Sequence, residues 1–183
     1  MEVPLCVIHG RFQLLHNGHI QNLILPAFAY ANRVIIGICN PEKILTAYDP
    51  SNPHRSLDTA NPFSFWDRLS MFRAFLDSQH IPRERYEIVP FPINFPEKIK
   101  NYAPSGAPYL LTVYDDWGRK KKDELEKQGF DVVVIKEMTL ETKGESGSDI
   151  RQMIARGDGE WRKHVPEAVA RYLEDTNLLN KVK

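Results

Sequence analysis

The sequence predicts an α/β protein built on a single doubly wound parallel sheet. Three observations lead there. Five short apolar runs rich in β-branched residues, 4–9, 33–39, 86–90, 109–114 and 131–136, read as buried strands. Helical spacing separates them: Ile20, Leu23, Ile24, Ala27, Phe28 and Ala31, then Phe65, Leu69, Phe72 and Leu76, then a charged stretch over 116–128. The chain closes with helical patterns from residue 146 onward, divided by Gly157-Asp158-Gly159. Strands alternating with helices imply right-handed βαβ crossovers and a sheet covered on both faces. Such sheets bind ligands at the carboxyl ends of their strands, near the topological switch point.

Each element has its own signal. Pro26 falls inside the first helical pattern and predicts a kink there. Residues 40–61 lack periodicity and read as a long loop on the substrate side. A second irregular, proline-rich stretch spans 90–108. The length of 183 residues, with 42% apolar and 26% charged side chains, predicts one domain over 1–183 with a core of its own. Its 24 basic and 24 acidic side chains balance, against a general nucleic-acid or membrane-surface binder. Cys6 and Cys39 sit in apolar runs and read as small core residues, which fits a reducing cytoplasm. No run approaches the roughly 20 apolar residues of a membrane span, so a cytoplasmic location is expected.

The segment GRFQLLHNGH, residues 10–19, joins the first strand to the first helix. A helix start at this place offers unpaired N–H groups and a positive dipole end, which suit phosphate. Gly10 permits a sharp turn, Arg11 can fork onto phosphate oxygens, and Gly18 leaves room for close approach. His16 and His19, three apart, can point to one side. Two histidines so spaced can also bind a metal, but no third ligand lies nearby in sequence, and no protein metal site is expected. They can also be an incidental polar turn. Gly-x-Gly-x-x-Gly, the dinucleotide fingerprint, is absent.

A second candidate cradle is ESGSDIR, residues 145–151. Ser146 through Asp149 reads as a capping box at a helix start. Free N–H groups, two hydroxyls and Arg151 also make it a place for an anion.

GRFQLLHNGH resembles the His-x-Gly-His signature of the nucleotidylyltransferase superfamily, whose fold is Rossmann-like. Its opening Gly-Arg-Phe-Gln is similar to archaeal-type nicotinamide mononucleotide adenylyltransferases, with Leu14 where proline is usual there. ESGSDIR resembles the superfamily's second signature. NPFSFWDRL (61–69) and GDGEWRKHVPEAV (157–169) resemble further segments of those adenylyltransferases. The resemblance implies in-line attack of an acceptor phosphate on the α-phosphorus of a nucleoside triphosphate. It implies that His16 and His19 bond α- and β-phosphate oxygens and that Arg11 and Arg151 hold the β- and γ-phosphates. Gly10, Phe12, Gln13, Gly18, Ser146, Gly147 and Ser148 join the nucleotide site, and Mg²⁺ bridges phosphate oxygens.

The acceptor side departs from those adenylyltransferases. INFPEKIKNY (93–102) has no tryptophan to stack on a nicotinamide ring, which leaves Phe95 or Tyr102. VYDDWGRKKKDEL (113–125) resembles the Asp-Asp-Trp element of glycerol-3-phosphate cytidylyltransferases. Asp115, Asp116 and Trp117 then contact the nucleotide, or else cap and pack a helix. Lys43, His54, Arg55 and the basic run 119–122 can supply charge for a small anionic acceptor, with 40–61 ordering over the site. The expectation is cytidylyl transfer from CTP to a small phosphate or phosphonate by a homo-oligomer. Three alternatives stay open: nicotinamide mononucleotide adenylyl transfer, a non-catalytic nucleotide sensor, and adenylation of a carboxylate.

Overall fold

A computed structural model describes residues 3–46, 57–139 and 144–182. Five strands form one sheet: Val3–Gly10 (β1), Ala31–Cys39 (β2), Tyr86–Phe91 (β3), Tyr109–Val113 (β4) and Val132–Glu137 (β5). Their order is β3-β2-β1-β4-β5 and every pairing is parallel. β1 is therefore central, with Val7 opposite Ile35 on one side and Tyr109 on the other. The chain runs outward through β2 and β3, then returns across β1 to build β4 and β5. That reversal places the switch point between β1 and β4.

Alternation along the strands divides the core in two. Cys6, Ile8, Val34, Ile36 and Leu110 pack with the helices that follow β1 and β2 and with the C-terminal helices. Val7, Ile35, Phe91, Tyr109 and Leu111 pack on the other face with Ile93, Ile99, Leu125 and Phe130. Both faces are thus removed from water, which is why the strands read as continuous apolar runs. Cys6 and Cys39 are buried free thiols.

The helix after β1 leaves regular α geometry just ahead of Pro26. It consists of Asn17–His19 (α1), a π-helical turn Ile20–Ile24 and Leu25–Tyr30 (α2). Within the π turn, the N–H of Leu25 reaches back to the carbonyl of Ile20. Pro26 has no N–H for the Asn22 carbonyl, which instead accepts a hydrogen bond of 2.9 Å from Thr112 Oγ1 of β4.

Phe65–Ser78 (α3) begins at a capping box: Ser64 Oγ accepts from the Asp67 N–H at 3.1 Å, and the Ser64 N–H donates to Asp67 Oδ2 at 2.8 Å. Asp116–Lys127 (α4) follows β4, Gly147–Arg156 (α5) follows β5, and Glu167–Asp175 (α6) packs on α3. Gly157 ends α5 at φ 74, the left-handed position that favours glycine. The 90–108 stretch contains a 3-10 helix, Pro96–Asn101. The described flanks of the 40–61 loop hold single 3-10 turns, Lys43–Leu45 and Asp58–Ala60. Among the described residues, no helix is long and apolar enough to cross a membrane.

Candidate active site

The loop leaving β1 is folded back over the strand end by its own side chains. Phe12 adopts φ 48, and its ring packs edge-on against Phe72 at 4.8 Å and His19 at 4.9 Å. A side chain at Gly10 would put Cβ 2.7 Å from the Phe12 ring, so only glycine fits beneath it. Gln13 is fixed by a two-point link, donating through Nε2 to the Phe63 carbonyl and accepting the Phe63 N–H on Oε1, both at 2.9 Å. His16, 7% exposed, precedes α1. Its N–H donates to His19 Nδ1 at 3.4 Å, and the two rings lie 3.7 Å apart between centroids. With Nδ1 accepting, the ring proton of His19 resides on Nε2, ready for an oxygen ligand.

α5 brings the second cradle against the first. Ser146 and Asp149 close a capping box, leaving the next N–H groups at the helix start for a ligand. Arg151, nearly buried, donates through Nη1 to the Gln13 carbonyl and through Nη2 to Ser148 Oγ at 3.2 Å. Burial lowers its pKa and Asp149 opposes the shift. A Cβ on Gly147 would lie 3.2 Å from the Gln13 carbonyl oxygen and 3.6 Å from His16 Cδ2. The absence of a side chain at 147 therefore sets how closely the cradles approach.

Between them lies a crevice of about 320 Å³ at the carboxyl ends of the strands. Gly10, Arg11, His16, Gly18 and His19 line it from one end of the chain, and Ser146, Gly147, Ser148 and Arg151 from the other. Toward β4, Leu111, Thr112 and Tyr114 form its wall. Toward β2 and β3, the wall is His9, Cys39, Asn40, Ile93, Asn94 and, from α4, Lys121. Apolar side chains interleaved with a few convergent polar groups are what a small-molecule site requires.

His9 has an unusual setting. Its ring stacks on Phe91 at 4.5 Å and 6°, Nδ1 is 3.7 Å from Cys39 Sγ, and Nε2 is buried with no hydrogen-bond partner among the described residues. Burial, helped by the nearby Lys121 charge, pushes its pKa down to about 4, so the ring is neutral at pH 7. Behind it, Arg68 is 1% exposed and donates to the carbonyls of Ser64, Arg11, Cys39 and Asn40 at 2.6–3.1 Å. It ties α3 to the ends of β1 and β2. Burial lowers its pKa to about 10, which leaves it cationic at neutral pH.

Sequence and structure part company at several residues. Phe12 and Gln13 border the crevice, but the Phe12 ring packs into the core and the Gln13 amide is committed to Phe63. Asp115 also borders it, while its Oδ1 caps α4 by accepting the Gly118 N–H at 2.8 Å. Asp116 points to solvent beside Arg119, away from the crevice. The Trp117 side chain, His54 and Arg55 lie outside what is described. Lys43 is exposed and paired with Asp58 at 2.7 Å, and Phe95 lies under Lys98; neither lines the crevice. Sequence reasoning missed His9, Asn94 and Arg68. The only local signal for His9 was a titratable residue ending a buried strand.

A parallel sheet of this order, with two candidate anion cradles meeting over its switch point, suits a nucleotidylyltransferase. The family model described as cytidylyltransferase-like matches residues 7–153, and the chain belongs to that family. It is 38% identical over 177 residues to a phosphonoformate cytidylyltransferase of Streptomyces viridochromogenes, across 97% of this chain and 94% of that relative. It is 30% identical over 178 residues to a nicotinamide-nucleotide adenylyltransferase of Picrophilus torridus, across 96% and 94%. The Thermococcus kodakarensis adenylyltransferase is 28% identical over 176 residues, across 95% and 84%. Among solved structures, a bifunctional NMN adenylyltransferase/ADP ribose pyrophosphatase from Francisella tularensis superposes with a TM-score of 0.58 at 18% identity. That match covers 94% of this chain but 50% of the Francisella chain, and it speaks to the fold alone.

Proposed function

We propose that the protein transfers a cytidylyl group from CTP to a small phosphonate acceptor and releases pyrophosphate. The observation that carries this reading is the convergence of residues 10–19 and 146–151 on one crevice, in a chain 38% identical to a phosphonoformate cytidylyltransferase. An acceptor phosphonate oxygen attacks the α-phosphorus and forms the new P–O bond. The bond from that phosphorus to the α,β-bridging oxygen breaks, and its electron pair leaves with pyrophosphate. A phosphonate has lost at least its first proton at neutral pH, so the acceptor already presents an anionic oxygen. No general base is needed.

Catalysis then rests on positioning and charge stabilisation. His16 and His19 donate to the α- and β-phosphate oxygens as negative charge grows on the leaving group. Arg11 and Arg151 take the β- and γ-phosphates, with the α5 helix start and Ser148 completing the clamp. Among the described residues, no three His, Cys, Asp or Glu side chains are grouped to hold a metal ion. Mg²⁺ bound with the triphosphate would need no protein cage in this reading and would neutralise charge on the departing pyrophosphate.

A second reading, adenylyl transfer to nicotinamide mononucleotide, has the 28–30% identical relatives in its favour. Against it stands the wall toward β2 and β3, formed in part by Ile93 and Asn94, where the described residues place no tryptophan. The test is pyrophosphate release measured with each of four NTPs against phosphonoformate, methylphosphonate, glycerol 3-phosphate and nicotinamide mononucleotide. CTP with phosphonoformate is expected to be fastest. Faster release from ATP with nicotinamide mononucleotide would replace the proposal with the second reading.

A further inference from the structure

The acceptor wall holds two groups that the transfer chemistry leaves unused. Lys121, 7% exposed, brings an ammonium to the crevice from the second turn of α4, with Glu124 Oε2 at 2.8 Å as an ion-pair partner. His9 lies within its electrostatic reach and ends β1 immediately before the Gly10-Arg11 turn. The His9 ring cannot turn freely, because Phe91 covers one face and Cys39 Sγ sits at Nδ1.

We infer that His9 and Lys121 together recognise a second anionic arm of the acceptor, a carboxylate joined to the phosphorus-bearing end, and so select carboxylated phosphonates over plain ones. This rests on the cytidylyl transfer to a phosphonate proposed above.

The chemistry follows from the two settings. A buried ring nitrogen without a partner is uncommon, and each instance calls for a ligand, a water or a reactive role. When the Cys39 thiol proton is directed at Nδ1, the ring proton lies on Nε2, which then donates. A carboxylate oxygen is the acceptor that favours this tautomer. Lys121 supplies the charge that a neutral imidazole lacks. Nε2 is shut off from solvent, so the arm must take the place of a packed side chain. Lys121, which also lines the crevice, has a flexible four-carbon stem that lets its ammonium close on the same carboxylate. Arg11 and the His16–His19 pair stay with the triphosphate, so the carboxylate arm is answered by groups that the nucleotide does not use.

Two acceptors of similar size isolate the arm. Phosphonoformate carries the carboxylate, and methylphosphonate has a methyl group in its place. The readout is the ratio of kcat/KM for the two, with CTP saturating. Wild type is expected to favour phosphonoformate. His9→Phe keeps a ring on Phe91 but loses the donor, and Lys121→Met keeps the stem but loses the charge. Each should cut the ratio by about 10- to 100-fold, as loss of a hydrogen bond to a charged group does, mostly through KM for phosphonoformate. His9→Gln should recover part of it. General damage to the fold lowers both rates together and leaves the ratio intact. An unchanged ratio in an active His9→Phe and Lys121→Met would overturn the inference while the proposed function stands. A wild type that uses ATP and nicotinamide mononucleotide, but not phosphonoformate, would remove both. The ¹⁵N resonance of His9 Nε2 in wild-type protein gives a check free of mutation. It should shift with phosphonoformate and not with methylphosphonate, and equal response to both would refute the assignment.

Discussion

Arg151 and Gln13, 138 residues apart, are joined by a hydrogen bond from the Arg151 guanidinium to the Gln13 main-chain carbonyl. One cation thus both closes the scaffold and faces the crevice. Arg151→Ala is expected to raise KM for the nucleoside triphosphate more than KM for the acceptor. It should also cost about 1–3 kcal/mol of stability, because a buried carbonyl loses a charged donor. Arg151→Lys should restore only part of the binding, since the fork is lost. Steady-state kinetics in both substrates, with a denaturation curve, decide it. Equal weakening of both substrates would take Arg151 out of the triphosphate clamp.

His16→Ala and His19→Ala are each expected to lower kcat by about a hundredfold, the effect of losing one donor to developing charge. The thermal midpoint should barely move, because the hydrogen bond from the His16 N–H to His19 Nδ1 is long, at 3.4 Å. A large fall in the midpoint, with activity lost in proportion, would make both histidines structural.

Gly147→Ala should reduce kcat about tenfold, since small displacements of a positioned group are costly. The added Cβ meets the Gln13 carbonyl at 3.2 Å and pushes α5 away from His16. Gly106→Ala is the control, because its Cβ meets nothing within 4 Å. Identical kinetics for the two variants would show that the cradles tolerate a wider separation.

Arg68→Met should destabilise the fold by about 3 kcal/mol or more, because it strips a charged donor from four carbonyls at once. A urea unfolding series measures it. A loss under about 1 kcal/mol would mean that water replaces the guanidinium.

His9 gives stability a pH dependence of known sign. Its folded pKa, about 4, lies below the ordinary value of 6.5. The unfolded chain therefore binds the proton first as pH falls. Stability is full above about 6.5 and declines toward pH 4, by on the order of 3 kcal/mol. In His9→Phe that slope should flatten. A wild-type curve level from pH 7 to 4.5 would contradict the neutral buried ring.

The sheet was legible because a strand buried on both faces leaves a continuous apolar run, as in 33–39 and 109–114. The two cradles were legible because each is a contiguous segment with its own helix start. Arg68 was not, since its meaning lies in carbonyls of Arg11, Cys39 and Asn40 that only the fold brings near it. His9 was hidden for the same reason, its ring being defined by Phe91 on another strand. Asp115 could be read as a ligand or a cap, and local hydrogen bonding favours the cap. Pro26 marked an irregular helix in the sequence, while Thr112, whose hydroxyl bonds the Asn22 carbonyl that Pro26 has no N–H to meet, shows only in the fold.

The order of synthesis has a consequence for when activity begins. Residues 10–19 are made before β2 and β4, and β1 must wait for both to become the centre of the sheet. The second cradle, at 146–151, arrives only after every strand has been made. A nascent chain stalled after β5 already carries the histidines and Arg11 but lacks the second half of the proposed triphosphate clamp. Under the proposed function, turnover needs both segments, so a chain truncated before residue 146 would hold the histidines without their counterpart.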